Sequence, residues 1–192
     1  MRKTSLILLV ISLLILNGCT IVFQKGRRSD LEKIDILESE LTNLKNASDL
    51  LESRLAKEIE DEKVRVTMAE KGLVITFVAE VLFDSGKAKL RGESLPILDK
   101  VIRILQETVP DNRIGIEGHT DSEPIKHSRW KSNWELSSYR GLAVLEYFLK
   151  DQELPPYRFS VGGYGASRPR RYNNTPEKRA MNRRVEIIFK HT

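Results

Sequence analysis

The apolar pattern changes period within one short stretch, and that change constrains the fold more than any other feature. Ile114 and Ile116 alternate with Arg113, Gly115 and Glu117, the period-two signature of a half-buried strand, and the alternation stops at Gly118. From Ser132 to Lys150, Leu136, Tyr139, Leu142, Ala143, Leu145 and Phe148 make the apolar face of a helix. A strand feeding a helix through a polar loop is a unit of layered αβ folds. Asp121 follows the strand's end, where a loop can hold it open to a ligand. Arg140 projects one turn from Leu136, so the pattern lets a carboxylate and a guanidinium face one cleft. Such a cleft suits a zwitterion.

The flanking sequence extends the alternation of strand and helix. Leu73–Val78 reads as a strand apolar on both faces, followed by Phe83-Asp84-Ser85-Gly86. A helix opened by Lys87–Glu93 would bury Ala88, Leu90, Leu95, Leu98, Val101, Ile102 and Leu105, with Pro96 tolerated in its first turn. Pro110-Asp111-Asn112 forms a turn, and Leu154-Pro155-Pro156 stops the helix that begins at Ser132. Arg158–Val161 is a further strand, Gly162-Gly163-Tyr164-Gly165 a bend, and Val185–Phe189 the closing strand. The order predicts an α+β, β-α-β-α-β-β sandwich with helices on one face of a mixed sheet, spanning residues 64–192. That length suffices for an adequate core.

The N-terminal third reads differently. Arg2 and Lys3 precede the apolar run Leu6–Leu16, which is short for a membrane span and ends in Leu16-Asn17-Gly18-Cys19. This resembles a bacterial lipoprotein signal peptide (residues 1–18), which implies cleavage before Cys19 and acylation, palmitate included, of that residue. More than one acyl chain gives stable anchoring. Thr20 in place of Asp favours the outer membrane under enterobacterial sorting. Cys19 is the chain's single cysteine, so no internal disulfide is available. Residues 19–29 read as a tether, and Asp30 as the N-cap of a helical spacer over 30–63. Ile34, Leu37, Leu41, Leu44, Leu51 and Leu55 keep a 3–4 spacing, with Ser48 the polar exception. Two readings stay open: a coiled-coil stalk that joins copies or a protein partner, or an amphipathic helix folded on its own domain.

Five motifs then appear in order: Phe83-Asp84-Ser85-Gly86, Gly118-His119-Thr120-Asp121, Asn133–Arg140, Gly163-Tyr164-Gly165 and Asn182–Ile187. Together they are similar to the OmpA C-terminal, peptidoglycan-binding domain family over about residues 72–190. That family includes peptidoglycan-associated lipoprotein and the periplasmic domain of MotB, and the loop between Asp121 and Asn133 is most similar to the MotB branch. The resemblance implies a cell-wall stem peptide as ligand, chiefly its diaminopimelate. Asp121 would meet the ammonium and Arg140 the carboxylate, bidentately. Thr120 and Asn133 would complete the shell, Asp84 and Ser85 line the other wall, and Arg184 stand near the pocket. His119 reads as a packed or hydrogen-bonded residue, and Trp130 and Trp134 as core.

Other function classes find little support. The chain has 192 residues and a formal net charge of +5, a modest excess that argues against nucleic acid. Arg168, Arg170, Arg171, Lys178, Arg179, Arg183 and Arg184 form a basic cluster that reads as a solvated face, or as a surface for an anionic polymer. No GxSxG or HExxH is present, and His119, His127 and His191 are too scattered to suggest zinc. Neither an enzyme nor a cofactor is expected. A stator-like ion channel would need an intramembrane carboxylate, and residues 5–18 contain none. The expectation is an outer-membrane lipoprotein facing the periplasm that ties membrane to wall. The alternative is a MotB-like or envelope-machine scaffold using the same domain.

Overall fold

A computed structural model describes the backbone of residues 2–126, 128–150 and 154–190, and within those bounds the side chains from Arg28 onward. The acylation reading at Cys19 and the side chains of His127 and His191 lie outside the described residues. The chain divides into two units, residues 1–42 and 43–192. Among the described residues no helix is long and apolar enough to cross a membrane.

Helix α1 runs Arg2–Arg54 without a break, so Asp30 lies inside a helix rather than at its N-cap. The 3–4 seam along it divides in two. In the first unit Leu31, Ile34, Leu37 and Leu41 are about half exposed. In the second unit Leu44, Ala47, Leu51 and Leu55 are fully buried in the domain's own core. For those positions the folded-back reading holds, and the domain begins well before residue 64. Each fully buried leucine contributes roughly 1.5–3 kcal/mol. Helix α2 (Ala56–Glu60) then leads into the sheet.

Five strands form that sheet: β1 (Val64–Ala69), β2 (Gly72–Val78), β3 (Ile114–His119), β4 (Phe159–Gly163) and β5 (Arg184–Phe189). Their order is β1-β2-β5-β3-β4, antiparallel except for the parallel pair β3/β4. The mixed α+β architecture is the one expected, with a strand added. β1 pairs with β2 across the Glu70-Lys71 turn, a hairpin absent from the sequence reading. Strand alternation sorts the side chains. Leu73, Ile75 and Phe77 of β2, Val185, Ile187 and Phe189 of β5, and Ile114 and Ile116 of β3 enter the core. Thr76, Glu186 and Glu117, aligned across the same three strands, take the opposite face.

The helices of the core cover one face. The short α3 (Ala79–Leu82) ends at the Phe83–Gly86 segment. Helix α4 (Leu95–Thr108) follows a 3-10 turn at Gly92–Ser94, later than the sequence suggested, and buries Leu98, Val101, Ile102, Ile104 and Leu105. Ala88 and Leu90 are therefore not helical; Leu90 instead makes a β-bridge with Phe83. Helix α5 (Asn133–Lys150) crosses from β3 to β4. It buries Leu136, Ser137, Arg140, Gly141, Val144 and Phe148, whereas Tyr139 and Leu142, expected on its buried face, are exposed. Helix α6 (Pro176–Asn182), also unforeseen, is capped by the Thr175 hydroxyl accepting from Lys178 N.

Two glycines seat α5 against the sheet. Gly118 and Gly163 are paired across β3 and β4. A Cβ on Gly118 would overlap the Ser137 carbonyl, and one on Gly163 would overlap Ser138. The N-terminal half of α5 can therefore lie directly on the strand ends. That close approach delivers Arg140 to the end of β3, beside Asp121.

Candidate ligand-binding site

Beyond the C-terminal end of β3 opens a cavity of about 380 Å³. Local sequence fixes its walls. Ser132 caps α5, its Oγ accepting from Glu135 N at 3.2 Å, while the Glu135 carboxylate accepts from Lys131 N, a variant of the capping box. Ser137 locks the next turn: its hydroxyl donates to Trp134 O at 3.0 Å and accepts from Gly165 N at 2.9 Å. Gly165 O in turn accepts from Thr120 N at 2.9 Å. Trp130, 7% exposed, donates from Nε1 to Gly86 O at 2.7 Å and ties the loop after Asp121 to the opposite wall.

Asp121 and Arg140 line this cavity, with Thr120, Asn133 and Ser85. Asp121 is 7% exposed. Its Oδ1 accepts from Glu123 N at 3.1 Å and its Oδ2 from Arg183 Nη1 at 2.7 Å. The aspartate thus caps its own turn and still presents a carboxylate to the cavity, since each oxygen can accept more than one bond. Asn133 Nδ2 donates to Glu123 O at 2.8 Å and to Asp121 O at 3.4 Å, and the Thr120 hydroxyl donates to Asp121 O at 3.0 Å. These two residues hold the loop as well as lining it.

Arg140 is the unusual member. It is 4% exposed, its Nε donates to Lys87 O at 3.0 Å, and its guanidinium lies over the Phe83 ring at 5.3 Å. The bridges to Glu117 or Glu135 that a structural role would require are not made. Among the described residues no carboxylate lies within 4 Å of it. Burial lowers its pKa to about 10, with Glu80 and Asp121 acting against that shift and Arg183 with it. The group stays charged at neutral pH. A buried cation with no counterion in contact is costly, and an anionic ligand removes that cost.

The wall as a whole balances its charge. Glu80, Asp121 and Glu123 face Lys126, Arg140 and Arg183. Arg183 is already engaged by Glu80 and Asp121, at 2.6 and 2.7 Å, and Glu123 by Arg179 at 3.5 Å. The Asp121 carboxylate and the Arg140 guanidinium, which has no carboxylate in contact, thus line one cavity. Groups of both signs lining one cavity are complementary in charge to a zwitterion.

The OmpA family matches residues 82–183, more than half the chain and all of this cavity's lining except Glu80. The chain belongs to the OmpA family. It is 37% identical over 156 residues to motility protein B of Bacillus subtilis, covering 79% of this chain and 57% of that one. Its fold is similar to a putative MotB-like protein from Desulfovibrio vulgaris, with a TM-score of 0.70 at 26% identity, over 78% of this chain and 94% of that one. It is also similar to the cell wall anchor of the T6SS from Pseudomonas aeruginosa, with a TM-score of 0.62 at 33% identity, over 73% and 97%. An OmpA-like domain is a structural, wall-binding module and not an enzyme.

Within this OmpA-family domain two of the expected site residues stand elsewhere. Asp84 is exposed, paired with Lys87 at 3.0 Å, and is not among the residues lining the cavity. Arg184 lies on the far face of the sheet, paired with Glu186 at 2.7 Å. Its neighbour Arg183 takes the place beside Asp121, and Glu80 completes that pair; neither was singled out as a ligand contact in the sequence. Trp134 is 53% exposed, so only Trp130 of the two tryptophans is core. The basic cluster is not one face either, because Arg183 serves the cavity while Arg170 and Arg184 line a second one across the sheet. His119 is packed, stacked on Tyr164 at 5.4 Å, but makes no hydrogen bond.

Proposed function

We propose that this domain is a non-covalent wall anchor that holds the diaminopimelate end of a peptidoglycan stem peptide. Asp121 receives the ammonium, and Arg140 takes the carboxylate of the same centre bidentately, as a lysine could not. Thr120, Asn133 and Ser85 complete the contact, and Arg183 holds the Asp121 carboxylate in place. The observation that carries this reading is the buried Arg140 guanidinium without a carboxylate in contact, lining the same charge-balanced cavity as Asp121. Charge-assisted hydrogen bonds of this kind contribute about 1.5–3 kcal/mol each. Membership of the OmpA family supports the ligand class.

Lipid on Cys19 would fix the protein in the outer membrane facing the periplasm, with residues 19–29 and the exposed part of α1 between membrane and wall. A second reading has support from the identity to motility protein B: the same wall anchor serves an envelope machine. The apolar stripe Leu31, Ile34, Leu37 and Leu41 would then join it to another copy or a protein partner.

Co-sedimentation with purified sacculi tests the wall-binding claim. Wild-type protein should pellet, free diaminopimelate should release it, and Asp121→Ala and Arg140→Ala should stay in the supernatant. Pelleting that neither substitution weakens would overturn the assignment. Radiolabelled palmitate incorporated by the wild type and lost in Cys19→Ser separates the lipoprotein reading from the scaffold reading.

A further inference from the structure

The far face of the sheet holds a second cluster that wall binding does not use. Glu117 and His119 of β3 and Glu186 of β5 bring one donor atom each to within 4.8 Å of one another. They line a cavity of about 290 Å³, together with Lys71, Arg168, Arg170 and Arg184. His119 is 1% exposed and neither of its ring nitrogens has a hydrogen-bond partner. A buried polar group left unsatisfied is costly and asks for an explanation. Its Nε2 lies 3.8 Å from Glu117 Oε2, too far for a hydrogen bond but suited to two donors sharing an ion between them.

One cation already occupies the middle of the cluster. The Lys71 ammonium, carried on the β1–β2 turn, sits 3.0 Å from Glu117 Oε2 and 2.7 Å from Glu186 Oε2. Its side chain is 44% exposed and free to swing out into solvent. Arg184 engages the other Glu186 oxygen, Oε1, at 2.7 Å and so orients that carboxylate. Arg170 is held by the Thr76 hydroxyl at 3.2 Å, and Arg168 lies over the Tyr164 ring at 3.7 Å. Arg168 and Arg170 are thus committed elsewhere and Arg184 to Oε1 of Glu186, whereas Lys71 is bound only by the donors themselves.

We propose that Glu117, His119 and Glu186 form a binding site for a divalent transition metal ion, which enters by displacing the Lys71 ammonium. One imidazole and two carboxylates match the preferences of Zn²⁺, with Mn²⁺ or Fe²⁺ next, and disfavour Ca²⁺ and Mg²⁺, which take oxygen ligands. Three protein donors leave a position open toward the cavity for water. The ion would bridge neighbouring strands β3 and β5 immediately before β3 delivers Thr120 and Asp121 to the ligand cavity. Metal supply would then set the rigidity of that strand end.

The test uses the full-length protein in detergent, dialysed against ZnCl2, MnCl2 or MgCl2, with bound metal counted per chain and the melting temperature followed. The expected result is one Zn²⁺ per chain, a raised melting temperature and no response to Mg²⁺. Glu117→Gln and Glu186→Gln should weaken uptake at least tenfold, while a His127→Gln/His191→Gln double variant should keep it. Lys71→Met should bind several-fold more tightly, because the competing cation is gone, and this variant keeps the donors if a His119 variant fails to fold. Absence of uptake in both wild type and Lys71→Met would overturn the proposal. So would uptake that survives Glu117→Gln and Glu186→Gln.

Discussion

Arg140 carries most of the functional argument, and conservative substitution is the informative probe of it. Arg140→Lys keeps the charge but loses the planar fork, so affinity for the wall peptide should fall roughly 10- to 100-fold, as binding isotherms would reveal. An equal affinity would mean that the carboxylate is not read bidentately. On the other face, the His119 ring at 3.8 Å and the Lys71 ammonium at 3.0 Å hold the Glu117 carboxyl down to about 2, against the effect of its burial. The first distance is too long for a hydrogen bond, so Lys71 is the direct partner. A carboxyl depressed in the folded state contributes stability above its unfolded value, near 4.5, and loses it as pH falls toward 2. Acid titration of thermal stability should therefore be shallower between those limits in Glu117→Gln than in wild type. The sequence announced Asp121 and Arg140 but misassigned the neighbouring arginine, and strand parity explains why. Arg184 shares its face of β5 with Glu186, opposite the core-facing Val185 and Ile187, while Arg183 precedes the strand and escapes the alternation. Applied to Arg184–Ile187, that parity would have removed Arg184 from the core side of the sheet.

Among the elements, those with long periodic patterns were legible and the short or shared ones were not. β2, β3, α5 and β5 followed from apolar spacing. β1 was missed because its burial is low along most of its length, and α6 because a helix of seven residues leaves little pattern. The heptad-like seam of α1 left two readings open because core and coiled-coil positions have the same spacing. Burial of Leu44, Ala47, Leu51 and Leu55 makes residues 43–55 part of the domain. A fragment of 64–192 should therefore lose on the order of 5 kcal/mol relative to one of 43–192, and denaturant titration of both would register it. Equal midpoints would place that helix outside the cooperative unit. At the other contact, Gly163→Ala forces a methyl into Ser138 and should lift α5 from the sheet. Both thermal stability and wall binding should drop in that variant, whereas a loss of neither would mean that the helix seat tolerates the shift.

For the whole molecule, the exposed stripe Leu31, Ile34, Leu37 and Leu41 is the feature that wall binding leaves unexplained. If it joins copies, sedimentation equilibrium should give a concentration-dependent oligomer that Ile34→Lys with Leu37→Lys reduces to monomer. A wild-type monomer at all concentrations would point to a different protein partner. The central claim concerns the ligand's zwitterionic centre, and titration calorimetry addresses it most directly. Stem tetrapeptides with meso-diaminopimelate or lysine as their third residue differ in one side-chain carboxylate, the group assigned to Arg140, because the α-amine and α-carboxyl of that residue are locked in peptide bonds. Heat of binding is expected for the diaminopimelate peptide, none for the lysine peptide, and none for either with Arg140→Ala. Equal binding of the two peptides by the wild-type protein would contradict the zwitterion assignment.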